Sequence, residues 1–86
     1  MGRKDKRKNR IKNENKPKLD LHGSTHAEAK ILTEDFVLNE QYNLPVEIIT
    51  GNSDGMKMVV KQVLNFYGFV FHEGDFHNSG YIKVTD

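Results

Sequence analysis

The feature that most constrains the fold of this chain is an alternation of strand-type and helix-type apolar patterns. Leu19–His22 alternates apolar and polar residues, and Val46–Thr50 is rich in β-branched residues, so each run is typical of a short strand. Each run is followed by apolar residues at helical spacing: Ala29, Leu32 and Phe36, widened by Ile31 and Leu38, and then Met56, Val59, Val60, Val63, Leu64 and Tyr67. The chain therefore contains two strand–helix units.

Residues that begin and end helices flank both helical stretches. Thr25 and Glu28 have the spacing of a capping box, which predicts that the first helix begins there. Asn43–Pro45 is expected to end it. The second helix is predicted over residues 55–67, with Gly68 as its C-terminal cap.

Two further strands complete the predicted order. Phe69–Phe71 is predicted to be the third strand, and Tyr81–Val84 the fourth, antiparallel to the third if a hairpin joins them. The order β-α-β-α-β-β predicts an α/β two-layer sandwich with a mixed, mainly parallel four-stranded sheet and two helices. With only two helices, one face of the sheet is expected to be less well covered.

The charge of the chain is divided unevenly between two segments. Residues 1–18 carry nine Lys/Arg and two acidic residues, whereas residues 19–86 carry four Lys and ten acidic residues. We predict that residues 1–18 form a basic, disordered arm and residues 19–86 the folded domain. The alternative is a solvated tail that aids solubility. The basic residues expected to contact phosphates are Arg3, Lys4, Arg7, Lys8 and Arg10.

The composition excludes several classes of protein. The 86 residues include no cysteine, which excludes a disulfide scaffold and thiolate zinc sites, and fits a reducing compartment. No apolar run approaches the roughly 18 residues of a membrane span. We therefore expect a cytoplasmic protein without a membrane partner. The oligomeric state is left open by the sequence.

The topology places chemistry-bearing residues at one edge of the sheet. Ligands of open α/β sheets bind beyond the carboxyl ends of the parallel strands. The first strand ends at His22, the third near His72, and His77 precedes the fourth. Asp20 and His22 are two residues apart on a strand and are expected to share a face, about 6.5–7 Å apart. His22 can transfer a proton near neutral pH, and Asp20 can orient it or accept a proton. The alternative is that both residues serve only the turn.

The segment from Thr50 to Gly55 joins the second strand to the second helix. Backbone amides at such a junction attract anions, and glycine allows a phosphate to come close. Candidate phosphate contacts are Gly23, Thr50, Gly51, Asn52, Ser53 and Lys57, with His77 and Asn78 from the last loop. The alternative is an ordinary turn with Asp54 as the helix N-cap.

Metal binding has weak support in the sequence. Histidines and Asp20 are suitable ligands for zinc or manganese, but their intervals match no standard ligand spacing. We therefore assign no metal ligand and expect no cofactor, with Mg²⁺ the one ion left open.

The same residues carry a family resemblance. Four segments carry it: Leu19–Gly23, Glu28-Ala29, Val46–Gly51 and a helix ending in Val63-Leu64. Together they resemble the Smr (small MutS-related) domain over about residues 19–84. The resemblance implies a fold similar to the C-terminal domain of translation initiation factor 3. It also implies DNA nicking or RNA cleavage, and binding to branched DNA or ribosome-linked RNA. In that family the Asp-x-His pair is the leading catalytic or contact candidate.

Three functional hypotheses follow from the sequence. The first is an endonuclease or nickase that acts on DNA or RNA through Asp20 and His22. The second is a non-catalytic module that binds nucleic acid or the ribosome, because the family's Thr-Gly-x-Gly motif is matched only at Thr50 and Gly51. The third is a protein-interaction domain that uses the acidic body of the chain.

Overall fold

A computed structural model describes residues 17–74 and 80–86 of the chain. The predicted order of elements is confirmed: β1 (Lys18–Asp20), α1 (His26–Glu40), β2 (Val46–Ile49), α2 (Asp54–Tyr67), β3 (Phe71–Glu73) and β4 (Tyr81–Val84). The α/β class and the mixed four-stranded sheet with two helices are confirmed as well.

The strands lie in the order β1-β2-β4-β3. β1 and β2 are parallel neighbours, whereas β4 is antiparallel to both β2 and β3. Three strands therefore run in one direction, but only one hydrogen-bonded pair is parallel, because β4 lies between β2 and β3. The carboxyl ends of β1, β2 and β3 all reach the same edge of the sheet.

The helices form the second layer. α1 and α2 contact each other and share one core with one face of the sheet. The fully buried core residues include Leu21, Ala29, Val37, Ile48, Val60, Leu64, Ile82 and Val84. No helix or strand among residues 17–74 and 80–86 covers the opposite face, as the count of two helices predicted.

The helix ends behave as the sequence predicts. Thr25 is the N-cap of α1, and its hydroxyl and the Glu28 carboxylate form the complete capping box. Gly68 ends α2 in the left-handed conformation, with φ of 78°. α1 ends at Glu40, before the cis Leu44–Pro45 peptide bond.

The predicted boundaries of three strands are shifted in the structure. β2 ends at Ile49, one residue before the predicted end at Thr50. β3 begins at Phe71 instead of Phe69, because the N–H of Phe69 is bonded to the Leu64 carbonyl at the end of α2. β1 begins at Lys18, which the sequence had placed in the arm, and it ends at Asp20.

The buried face of α1 differs from the predicted stripe. Its buried residues are Ala29, Thr33 and Val37, whereas Ile31 and Leu32 are 65% and 41% exposed. Leu38 is exposed too, and Phe36 is only partly buried. Apolar residues lie on more than one side of this helix, so their spacing did not determine which side faces the sheet.

The hydroxyl of Thr33 is fully buried and has no hydrogen-bond partner within the described part of the chain. A buried polar group without a partner costs about 1–3 kcal/mol. We expect Thr33→Val to raise the free energy of unfolding by about 1 kcal/mol, measured by chemical denaturation. Thr33→Ser, which keeps the hydroxyl and loses the methyl group, should instead be less stable than the wild type. A destabilised Thr33→Val variant would contradict this assignment.

Candidate nucleic-acid interface

The carboxyl ends of β1 and β2 lie side by side. Asp20 pairs with Ile49 at the end of the two strands, and the N–H of Leu21 continues the ladder by donating to the Ile49 carbonyl at 2.9 Å. The turn after β1 leads into α1, and the loop after β2 leads into α2. Two helix N-termini therefore begin beside one another at this edge.

The turn after β1 is held by Asp20. Its Oδ1 accepts a hydrogen bond from the N–H of His22 at 2.9 Å. The N–H of Ser24 donates to the Leu21 carbonyl at 2.9 Å, and Gly23 adopts a positive φ of 83°. The Asp20 carboxylate thus accepts a hydrogen bond from the backbone of His22, and this bond helps to hold the turn in its shape.

The His22 side chain is exposed and lines a shallow cavity of about 340 Å³ at the outer side of α1. The cavity is also lined by Gly23, Ser24, Glu28, Ile31 and Leu32. Hydrogen bonds from the backbone and side chain of Thr25 hold the pKa of Glu28 below its usual value, so this carboxylate stays charged at neutral pH. The cavity beside the His22 imidazole is therefore lined by the apolar side chains of Ile31 and Leu32 and by the negative charge of Glu28.

The loop after β2 is hydrogen-bonded to Gly80, the residue before β4. The N–H groups of Thr50 and Gly51 both donate to the Gly80 carbonyl at 2.9 Å. The Thr50 hydroxyl donates to the carbonyls of Gly51 and Gly80, at 2.8 and 3.3 Å. Because Thr50 is 5% exposed, it fixes the loop from inside, and a ligand would meet other residues of the loop.

The solvent-exposed residues of this loop are Gly51, Asn52 and Ser53, and the last two carry polar side chains. Ser53, and not Asp54, is the N-cap of α2, and its Oγ accepts a hydrogen bond from the N–H of Met56 at 3.2 Å. Asp54 is the first residue of the helix. Ser53 and the acidic Asp54 are therefore the exposed polar side chains at the start of α2.

Lys57 lies in the first turn of α2, as expected, and its N–H donates to the Ser53 carbonyl at 3.1 Å. It is 9% exposed and lines a cavity between α2 and β3 with Lys61 and Glu73. Glu73 forms an ion pair with Lys61. The hydrogen bond from Lys61 lowers the pKa of Glu73, and the positive charges of Lys61 and Lys57 lower it further. Asp54, the first residue of α2, lines the same cavity, so the cavity begins beside the Asn52–Ser53 loop.

His26 was not among the predicted site residues. It is the first residue of α1, and its imidazole contacts the first turn of α2. A Cβ atom placed on Gly55 would lie only 2.8 Å from Cε1 of His26, so the imidazole packs directly on this glycine. His26 lines the groove between α1 and α2, whereas His22 lines the cavity on the other side of α1. A glycine in the first turn of α2 was the only sequence signal for this contact.

Several predicted contacts lie outside the described residues. These are His77, Asn78, Arg3, Lys4, Arg7, Lys8 and Arg10. Within residues 17–74 and 80–86, no group of three or more His, Cys, Asp or Glu side chains is arranged to hold a metal ion. Neither helix in these ranges is long and apolar enough to cross a membrane.

Comparison of the chain with models of known protein families, with curated proteins and with solved structures found no match. The resemblance to the Smr domain therefore stays a prediction that rests on the residues of the first strand, the first helix and the Val46–Gly51 segment.

Proposed function

We propose that this chain is an Smr-like domain that acts on DNA or RNA, and that it contacts the nucleic-acid backbone through the edge formed by the His22–Ser24 turn and the Asn52–Ser53 loop. The observation that carries the proposal is the parallel pairing of β1 and β2, which brings the two turns together. Each turn leads directly into a helix, and unpaired N–H groups at helix N-termini favour phosphate.

The charge distribution suggests how the chain would be attracted to a polyanion. The segment from residue 19 onward carries a net excess of six acidic residues, so it would repel nucleic acid at long range. The nine Lys/Arg of residues 1–18 offset this repulsion. Binding should accordingly weaken steeply as salt is raised, because each neutralised phosphate releases counterions. A cytoplasmic location is part of the same proposal.

We further propose that the activity is phosphodiester cleavage with His22 as the group that transfers a proton. The exposed imidazole beside the β1–β2 edge supports this role, because histidine can donate or accept a proton near neutral pH. On RNA, the neighbouring 2′-hydroxyl would lose its proton to His22 and attack the phosphorus. The P–O5′ bond would break, which leaves a 2′,3′-cyclic phosphate, and the departing 5′-oxygen would take up a proton from water. Asp20 would contribute by holding the backbone of the turn in place.

A non-catalytic binding module is the second candidate, and two observations favour it. The Asp20 carboxylate is hydrogen-bonded to a backbone amide, and the Thr50 hydroxyl is buried against Gly80. Two of the polar groups expected to face a substrate therefore have structural roles. Binding is better supported by the geometry than cleavage is.

Ser53 offers a matched test of the proposed interface. Aspartate and asparagine are both as good N-caps as serine, so Ser53→Asp and Ser53→Asn should both preserve α2. Only Ser53→Asp adds a negative charge where the phosphate would bind. A unit charge about 4 Å away costs about 1 kcal/mol in water, so we expect Ser53→Asp to bind about fivefold more weakly than Ser53→Asn in dilute buffer.

The measurement is fluorescence anisotropy of the whole chain with labelled single-stranded, duplex and branched oligonucleotides over a series of salt concentrations. Equal affinities for the two variants would argue against this edge as the phosphate contact. Absence of any salt-dependent binding in the wild type would instead favour the protein-interaction hypothesis.

A further inference from the structure

The cavity of about 340 Å³ beside the His22 imidazole has an apolar wall that faces solvent. Ile31 and Leu32 form this wall and are 65% and 41% exposed, although the sequence predicted both for the buried stripe of α1. Both lie one helical turn after Glu28, which also lines the cavity. Apolar walls with a few polar groups are typical of ligand pockets.

Glu28 is a hydrogen-bond acceptor held in a fixed position at this cavity. The capping box fixes its carboxylate, because Oε1 accepts the N–H of Thr25 at 2.8 Å. Oε2 accepts no hydrogen bond within residues 17–74 and 80–86. A carboxylate oxygen can accept more than one hydrogen bond, so both oxygens are able to receive N–H groups of a ligand.

The charges at the cavity favour an uncharged ligand over a phosphate. No Lys or Arg is among the described residues that line it. The nearby negative charges are Glu28 itself, Asp20 on the same turn, and Asp35 further along α1. The His22 imidazole is the other titratable group of the cavity, and it can donate or accept a hydrogen bond. Like charges would repel a phosphate from this cavity.

A nucleobase is the uncharged part of the polymer that the adjacent edge is proposed to hold. The three residues of the His22–Ser24 turn line the cavity, so a phosphate held at this turn has its base within reach. Apolar side chains can pack on the faces of an unstacked base while hydrogen bonds read its Watson–Crick edge. The volume is at the lower end of the roughly 300–1,000 Å³ of small-molecule pockets, which suits one base.

The donors and acceptors of the bases distinguish one of them. Guanine places N1–H and N2–H side by side on its Watson–Crick edge, so both can donate to one carboxylate. Adenine and cytosine have an unprotonated ring nitrogen beside the amino group, and uracil and thymine have carbonyl oxygens on both sides of the N–H. These acceptors would face the Glu28 carboxylate, which offers no hydrogen to donate.

We propose that this cavity is a guanine pocket, in which Glu28 accepts the N1–H and N2–H groups and the side chains of Ile31 and Leu32 pack on the ring. The inference rests on the proposed function, because it assigns the base that adjoins the phosphate at the His22–Ser24 turn. A guanine paired with cytosine uses the same edge, so the pocket selects unpaired strands. If the strand is RNA and is cut, cleavage would follow this guanosine.

The test measures binding of the whole chain to labelled oligouridylates that differ only in one central base. The wild type should bind a strand with a central guanine about tenfold more tightly than the all-uracil strand, as expected for a two-bond contact to a base edge. Inosine lacks only the N2 amino group of guanosine. The strand with central inosine should bind about tenfold more weakly than the guanine strand, because it loses a hydrogen bond to a charged group.

Glu28→Gln tests the carboxylate without removing the helix cap, because glutamine completes a capping box as glutamate does. Its amide nitrogen would face the donors of guanine, so the preference for guanine over inosine should disappear. Loss of a negative charge strengthens binding to every strand, and Asp35→Asn controls for this effect. Asp35 is exposed on α1 and does not line the cavity, so Asp35→Asn should keep the wild-type preference.

Leu32→Ala tests the apolar wall, with Leu38→Ala as its matched control. The two leucines are 41% and 39% exposed on the same helix, and only Leu32 lines the cavity. Leu32→Ala should weaken binding of the guanine strand about threefold, because part of the apolar area that covers the base is lost. Leu38→Ala should bind like the wild type.

These measurements separate the inference from the proposed function. Equal affinity of the wild type for the guanine, inosine and uracil strands would overturn the guanine pocket and leave the phosphate edge standing. A guanine preference that persists in Glu28→Gln, or that Asp35→Asn loses to the same degree, would also overturn it. If the wild type binds none of the strands at low salt, the proposed function fails and the inference fails with it.

Discussion

Replacing His22 with alanine is expected to lower the rate of phosphodiester cleavage about 10²–10⁴-fold, the usual contribution of a positioned general acid or base. The loss should appear at saturating substrate, because the imidazole is proposed to act in the chemical step. Affinity should change little, because the turn is held by two hydrogen bonds that do not involve the imidazole. The N–H of His22 donates to the Asp20 carboxylate, and the N–H of Ser24 donates to the Leu21 carbonyl.

His26 provides the matched control for this experiment. It is a second histidine close to the same edge, but it lines the groove between the helices and not the cavity of His22. His26→Ala should therefore retain cleavage. Cleavage that survives in His22→Ala, in a preparation shown to be free of contaminating nuclease, would rule out His22 as the group that transfers the proton. Absence of cleavage by the wild type would leave the non-catalytic binding module as the proposed function.

Asp20 variants distinguish a structural role from a chemical one in the same assay. Asn keeps an oxygen that can accept the N–H of His22, whereas Ala keeps none. If Asp20 acts through the turn, Asp20→Asn should cleave nearly as fast as the wild type and Asp20→Ala should be slower. If the carboxylate accepts a proton or orients the imidazole, both variants should lose activity to a similar degree.

The second large effect is expected from Leu21, the residue between Asp20 and His22. Its side chain is fully buried in the core, and its carbonyl accepts the hydrogen bond that closes the turn. Leu21→Ala should lower the free energy of unfolding by about 2–5 kcal/mol, because truncation removes apolar contacts and leaves a cavity. That is a large part of the roughly 5–15 kcal/mol typical of whole domains.

Leu19 is the control for Leu21, because the same chemical change is made two residues earlier in the chain. Leu19 is only half-buried at the edge of the core, so Leu19→Ala should destabilise the protein clearly less. Equilibrium unfolding in urea, followed by circular dichroism, gives both values. Similar losses for the two variants would mean that the core does not centre on Leu21 as described.

The sequence predicted the elements of this fold well because their signals are local. The capping box at Thr25 and the left-handed cap at Gly68 each depend on residues within one helical turn, and both are confirmed. The prediction of which face of α1 is buried was wrong, because Leu32 and Val37 are equally apolar in the sequence. Only packing against the sheet and α2 decides that Val37 is buried and Leu32 is exposed.

The candidate site was predictable in its position but not in its contacts. Parallel pairing of β1 and β2 follows from the strand–helix–strand pattern, so the edge near His22 could be named in advance. The hydrogen bond from the N–H of His22 to the Asp20 carboxylate and the burial of the Lys57 side chain depend on side-chain directions and on packing. The insertion of β4 between β2 and β3 is a long-range choice without a local signal, and it places Lys83 between Glu47 and His72.

The same insertion affects how this domain is made in the cell. β4 is the last element in chain order, yet it pairs with both β2 and β3. Before residues 80–84 leave the ribosome, β2 has only the short β1 as a partner, and two strands alone are marginally stable in water. The Gly80 carbonyl that holds the Thr50–Gly51 segment is also missing until then. The edge formed by the His22–Ser24 turn and the Asn52–Ser53 loop would therefore be completed only once β4 has paired with β2, and not when β1, α1 and β2 alone have been made.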